Sequence, residues 1–326
     1  MNLGESRMRE SIWPNFYIVG AVKSGTTSLY AYLRQHPQVF LPGRKEPHFF
    51  TQPRPSREQA HLIRYVADAE HYHHLYRGAD AFPRIGDASP SYLWCPEAAQ
   101  RIHQVAPDAK IIVILRDPVE RAYAQYLMDF TEGAIHLPFA QALRRDWERP
   151  DKGWGVSQLY VELGQYSEQI RRYQTLFGRD RVLVLLLEDL KKRPRTVLET
   201  VAEFLEIDPG PIADMDLDKA YNAHRSARGV WVRYLAGSRL SRFIGDAILP
   251  RAWGKYIWQR WLLRDHGKPA MDEDARGFLQ EIYAPEVSAL EQLLERPLPE
   301  LRLSWREAPR RALHEAAAIR QGSSPS

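Results

Sequence analysis

The stretch Gly20-Ala-Val-Lys23-Ser24-Gly25-Thr26-Thr27 gathers the residue types that grip an anion. Gly25 lets backbone come close to a ligand, Thr26 and Thr27 carry hydroxyls, and Lys23 supplies a point charge. At the start of a helix, such a loop adds unpaired N–H groups and the positive end of the helix dipole. It reads as a phosphate-binding loop. Its lysine precedes the central glycine, whereas the Walker order G-x-x-x-x-G-K-[ST] places it after. Two acids, Glu188 and Asp189, follow the apolar run VLLL, the place where a kinase or other nucleoside triphosphatase would hold Mg²⁺. Two donors stay open at this point, ATP and another phosphorylated nucleotide, and the absent G-K-[ST] speaks against ATP.

Elements must position these groups. Phe16–Gly20 is apolar and reads as a buried strand. Thr26–Gln35 reads as the following helix, with Leu29, Tyr32 and Leu33 on one face and Pro37 ending the pattern. Ile111–Leu115 and Arg181–Leu187 are two more apolar strands. Arg116 directly follows the first of these, at the strand end where open parallel sheets bind ligands. Asp117 and Pro118 fit the cap and first turn of a helix. Leu159–Leu176 and Thr196–Leu205 are helical in pattern. Continuous apolar runs alternating with helices predict an α/β fold, a central, mostly parallel sheet flanked by helices. No repeat or linker divides the chain. The reading is one domain over 14–305 with a basic helical insertion at about 225–264, and fraying termini at 1–13 and 307–326.

Composition sets the outer limits. The chain has 326 residues, 44% hydrophobic and 26% charged, enough for a sizeable core. A net charge of +4 suits an anionic ligand without demanding nucleic acid. The single cysteine, Cys95, excludes an intramolecular disulfide, reads as a small buried residue, and fits a reducing, cytoplasmic compartment. MNLGESRMRESIWPN lacks the apolar core of a secretory signal, and no run approaches the roughly 20 apolar residues of a membrane helix. Between Arg225 and Arg264 nine Arg/Lys face one acid, Asp246, with Trp231, Trp253, Trp258 and Trp261 interleaved. Three readings stand: a packed insertion with a solvated basic face, a lid on an acceptor site, or a peripheral membrane or nucleic-acid surface. The last would make the chain a binder rather than an enzyme.

Four motifs occur in order: VGAVKSGTTSLYAYL, KEPHFF (Lys45–Phe50), GDASPSYL (Gly86–Leu93) and LRDPVERAYAQY (Leu115–Tyr126). Together they resemble the sulfotransferases that use 3′-phosphoadenosine 5′-phosphosulfate (PAPS), most closely the bacterial and heparan-sulfate branch, over roughly residues 14–305. The resemblance implies a P-loop-like fold and in-line transfer of a sulfuryl group to a hydroxyl, less often an amine, of a glycan, lipid or small metabolite. PAP is the product and no metal is required. It implies that Lys23 stabilises the leaving oxygen while Ser24, Gly25, Thr26 and Thr27 hold the 5′-phosphate. Arg116 grips the 3′-phosphate, and Arg121 is either a second contact or structural. Glu46 is the base. His48 assists it, orients it or is simply packed, and Phe49 and Phe50 are read as core ahead of a substrate platform. Asp87 and Ser89 line the cleft. A basic segment closes the donor site, either around Lys268 or around Arg225 and Arg228. Ala88 and Ala124 depart from the family, which has a lysine and a serine there.

Overall fold

The computed structural model describes residues 12–51, 65–131, 134–217, 226–227, 263–264 and 271–305. These fall into two compact units. One takes the described residues within Met1–Leu115, Trp154–Val156 and Glu168–Lys219; the other takes those within Arg116–Gly153, Ser157–Ser167 and Ala220–Ser326.

The first unit is built on five strands: β1 (Phe16–Gly20), β2 (Val39–Phe40), β3 (Arg84–Ala88), β4 (Lys110–Leu115) and β5 (Val182–Leu186). Their order is β2-β3-β1-β4-β5, and every pairing is parallel. Phe16, Ile18, Val19 and Ile111–Leu115 are fully buried, as strands covered on both faces must be. The expected α/β architecture with a parallel sheet is therefore present. β3 escaped the periodicity because Gly86 and Asp87 interrupt its apolar run. Both are explained by packing. A Cβ on Gly86 would run into the Phe16 ring, and Asp87 is buried with its oxygens hydrogen-bonded.

Six helices accompany this sheet: α1 (Thr26–Leu33), α2 (Ala69–His74), α3 (Pro96–Val105), most of α6 (Tyr166–Phe177), α7 (Leu187–Lys192) and α8 (Pro194–Leu205). α6 starts later than the expected Leu159. Leu159 has a left-handed backbone (φ 56°), and only a 3₁₀ turn, Glu162–Gly164, precedes the helix. Cys95 is a buried thiol, its Sγ 3.3 Å from Glu97 Oε2.

The second unit packs α4 (Pro118–Thr131), α5 (Phe139–Glu148) and α9 (Glu273–Leu294) around Val119, Tyr123, Tyr126, Phe139, Tyr160, Leu279 and Tyr283. Asp117 Oδ1 accepts the Val119 and Glu120 N–H groups, at 3.0 and 3.3 Å, so it caps α4 as expected. Asp272 caps α9 in the same way. β6 (Ser226–Ala227) and β7 (Leu263–Arg264) form a short antiparallel pair. The rest of the basic segment, with Arg225, Arg228 and Lys268, lies outside the described residues. No helix among the described residues is long and apolar enough to cross a membrane.

Candidate active site

The phosphate loop leaves β1 and enters α1. Ala21 N donates to Ile114 O at 2.8 Å, tying the loop to β4. Gly25 is the N-cap of α1, with φ 96°. Two constraints make it glycine. The left-handed backbone disfavours side chains, and a Cβ there would lie 2.6 Å from Leu187 Cδ1. No side chain caps α1, so its first N–H groups point out of the helix without an internal acceptor, as anion binding requires. Lys23 also has a left-handed backbone, φ 62°. Thr26 is buried and Thr27 half-buried. Ser24 is fully buried, its hydroxyl 3.5 Å from Val22 O.

The segment Lys45–Phe50 is pinned to the sheet. Glu46 N donates to Ala88 O at 3.1 Å, and Ala88 pairs with Ile18 in the parallel register. Ser89 N in turn donates to Ile18 O. Glu46 is thus held at the C-terminal end of β3, beside the end of β1 from which the phosphate loop leaves, the edge where open sheets bind ligands. Glu46 (φ 61°) and His48 (φ 52°) are both left-handed. Among the described residues, six non-glycines have positive φ, and three of them are Lys23, Glu46 and His48. Strain of this kind gathers where surrounding structure holds a functional geometry.

The Glu46 side chain is 39% exposed. Lys45 Nζ pairs with its Oε1, and His48 Nε2 stands 3.5 Å from its Oε2. Burial pushes the carboxyl upward, but the His48 hydrogen bond and the Lys45 charge outweigh it and hold the group at about 2 instead of 4.5. His48 itself is buried. Its Nδ1 lies 2.6 Å from Ser91 Oγ, its N–H donates to Ser89 Oγ at 3.1 Å, and its ring lies 5.5 Å from that of Trp154. Phe50 is buried and Phe49 stacks on Tyr72 at 4.3 Å, so both are core.

Other expected site residues take different places. Asp87 and Ser89 are fully buried. Asp87 Oδ1 accepts from Ser89, and Oδ2 accepts from Tyr72 and Tyr92, at 2.8 to 2.9 Å. With their hydrogen bonds met inside the unit, they brace the Glu46–His48 segment rather than line a cleft, which corrects the expectation. Arg121 is also fully buried. Its guanidinium donates to Tyr160 O and to Gln125 Oε1, the structural one of its two open roles. Arg116 follows β4 as expected and pairs with Glu120 at 3.2 Å. Glu188 and Asp189 pair locally with Lys191 and Arg193, three and four residues on, at 2.5 and 2.7 Å. Among the described residues no cluster of three His, Cys, Asp or Glu could hold a metal.

A family model described as "Sulfotransferase family" matches residues 14–210. The chain belongs to the sulfotransferase family. Mouse carbohydrate sulfotransferase 15 is 28% identical over 60% of this chain and 44% of its own length. Mouse bifunctional heparan sulfate N-deacetylase/N-sulfotransferase 4 is 27% identical over 90% of this chain and 31% of its own. The chain thus spans less than half of these curated relatives. A crystal structure of a sulfotransferase from Alicyclobacillus acidocaldarius is 28% identical, superposes with a TM-score of 0.67, and covers 89% of this chain and 99% of the other.

In this sulfotransferase the residues that sequence reasoning missed are Ser91, Thr51 and Trp154. Thr51 Oγ1 lies 2.6 Å from Ser91 Oγ. Ser91 stands inside GDASPSYL at alternate spacing from Asp87 and Ser89, the one signal that it shares their side. Trp154 is remote in sequence, and nothing short of the fold brings it to His48.

Proposed function

We propose that the chain transfers a sulfuryl group from PAPS to a hydroxyl, less often an amine, of a glycan or similar acceptor by in-line displacement. The observation that carries this reading is the register. Ile18 pairs with Ala88, whose carbonyl accepts the Glu46 N–H, so Glu46 is held at the end of β3 beside the end of β1 where the phosphate loop begins. The two mouse relatives, both glycan sulfotransferases by name, support the acceptor class.

The residues fit the donor. α1 has no side-chain cap and Gly25 has room only for backbone, which suits a 5′-phosphate on the loop N–H groups with Ser24, Thr26 and Thr27 beside it. Arg116 suits the 3′-phosphate as a forked cation. The donor supplies the transferable sulfuryl group and a phosphate leaving group. Lys23 stabilises the negative charge that grows on the leaving oxygen, an interaction stronger in the transition state than before it. Glu46 accepts the proton of the acceptor hydroxyl. The His48 hydrogen bond and the pairing with Lys45 keep it ionised at rest. Neither role calls for a metal. A cytoplasmic working place belongs to the same reading, as does closure of the donor site by Lys268 or by Arg225 and Arg228.

Transfer of label from PAPS, assayed across glycan, lipid and phenol pools, tests the activity. A thermal-shift series with PAP, ATP plus Mg²⁺, and anionic vesicles separates it from nucleotide hydrolysis and from membrane binding, because only a ligand of the folded state raises the melting point. Stabilisation by PAP alone is expected. Stabilisation by ATP with Mg²⁺ and none by PAP would overturn the reading.

A further inference from the structure

A buried chain of polar groups leads from Glu46 into the core of the first unit. It runs Glu46 Oε2, His48 Nε2 and Nδ1, Ser91 Oγ, Thr51 Oγ1, with contacts of 3.5, 2.6 and 2.6 Å. His48 and Thr51 are each 5% exposed and Ser91 is fully buried, so water cannot reset the hydrogen positions. Each hydroxyl has one proton, and a neutral imidazole has one N–H. Their directions can therefore be counted.

Nε2 faces a carboxylate, which only accepts, so Nε2 carries the ring proton. Nδ1 is then bare and needs a donor, which is the Ser91 hydroxyl. Ser91 has spent its proton there, so the Thr51–Ser91 contact uses the Thr51 proton. The backbone agrees with this order. Thr51 N donates to His48 O at 3.1 Å, closing the turn. His48 N donates to Ser89 Oγ, whose own proton goes to Asp87. The ring and the main chain of His48 are thus both gripped by the stretch that follows β3. Resting on the reading of Glu46 as the base, we propose that Ser91 is a positioning residue for proton transfer, fixing the His48 tautomer that presents Nε2–H to Glu46.

Removing the hydroxyl takes the donor from Nδ1, so the ring is free to rotate away, and Glu46 loses a fixed partner. The direct readout is the two-bond ¹H–¹⁵N correlation spectrum of the ¹⁵N-labelled full chain. Its 11 histidines are sorted by comparison with His48→Asn. Wild type is expected to show His48 as the Nε2–H form. In Ser91→Ala that pattern is lost, and kcat falls about tenfold, part of what a general base contributes. KM for PAPS changes less than about twofold, because ground-state donor binding is untouched. If Ser91→Ala does not fold, Thr51→Val serves: it should weaken the same pattern and lower kcat, with Thr51→Ser restoring both. An unchanged His48 pattern in these variants, or a lost pattern with wild-type kcat, overturns the proposal. The base reading fails separately, through wild-type turnover by Glu46→Gln, whatever the nitrogen spectra show.

Discussion

His48 Nε2 stands 3.5 Å from Glu46 Oε2, although the two residues are separated by one proline and both have left-handed backbone. An extended strand would also put them on one side, but farther apart. The two left-handed turns fold the segment so that imidazole meets carboxylate. Replacing Glu46 by Gln removes the proton acceptor and leaves the phosphate loop intact. Turnover should fall by about 10²–10⁴-fold, while PAP affinity, measured by calorimetry, stays at the wild-type value.

Lys45 tunes the same carboxylate. Its charge and the His48 hydrogen bond together overcome burial and hold Glu46 at about 2. Lys45→Met takes away the cation and should move the acid limb of kcat/KM upward from that value. A pH–rate series on both proteins reads this directly, and an unmoved limb would remove Lys45 from the account.

Glu46 and Asp87 make stability depend on pH in opposite directions. Glu46 is depressed in the fold, so its contribution is present above pH 4.5 and is lost as pH falls towards about 2. Asp87 is raised, by burial above all, against the hydrogen bonds from Ser89, Tyr72 and Tyr92. Between its usual 3.8 and its raised value the folded chain binds the extra proton, so stability falls as pH rises. Urea midpoints should show wild type gaining on Glu46→Gln as pH rises through the first window. In the second, wild type should lose ground to Asp87→Asn.

Gly25 is fixed both by its backbone angle and by Leu187. Gly25→Ala forces a side chain into left-handed backbone, a cost of about 1–2 kcal/mol, before the overlap with Leu187 is relieved. The helix start must shift, so denaturant unfolding should show at least that loss and PAP binding should weaken with it.

Arg121 is fully buried, and removing it leaves the Gln125 side chain and the Tyr160 carbonyl region without their charged donor. Arg121→Met should cost about 2–3 kcal/mol in unfolding free energy, the scale of a buried hydrogen bond to a charged group. PAP affinity should remain near wild type. A selective loss of PAP binding at unchanged stability would return Arg121 to the phosphate site.

The strands Phe16–Gly20, Lys110–Leu115 and Val182–Leu186 were legible because burial on both faces writes an unbroken apolar run. So were the strand–turn–helix passage from Phe16 to Leu33 and the capping role of Asp117, which depend on neighbours in sequence. Arg84–Ala88 was not legible as a strand. Its glycine answers to the Phe16 ring and its aspartate to Tyr72 and Tyr92, partners that local periodicity cannot see. The same holds for the candidate site. Glu46 was named from its motif, but Ser91 meets His48 from 43 residues away and meets Thr51 from 40 residues away. Asp87 and Ser89 were placed on the right stretch and given the wrong task, because sequence does not distinguish a polar residue facing a cleft from one satisfied in a core.

The order of strands also bears on how the chain is made. β4 pairs with β1 on one side and with β5 on the other, and β5 begins only at Val182. During synthesis, the apolar edge of Ile111–Leu115 emerges from the ribosome well before its second neighbour. All of Arg116–Gly153 must follow first. For that interval the nascent chain carries an open, sticky strand edge, and the first unit reaches its full sheet only after Arg116–Gly153 and Ser157–Ser167 of the second unit have been translated.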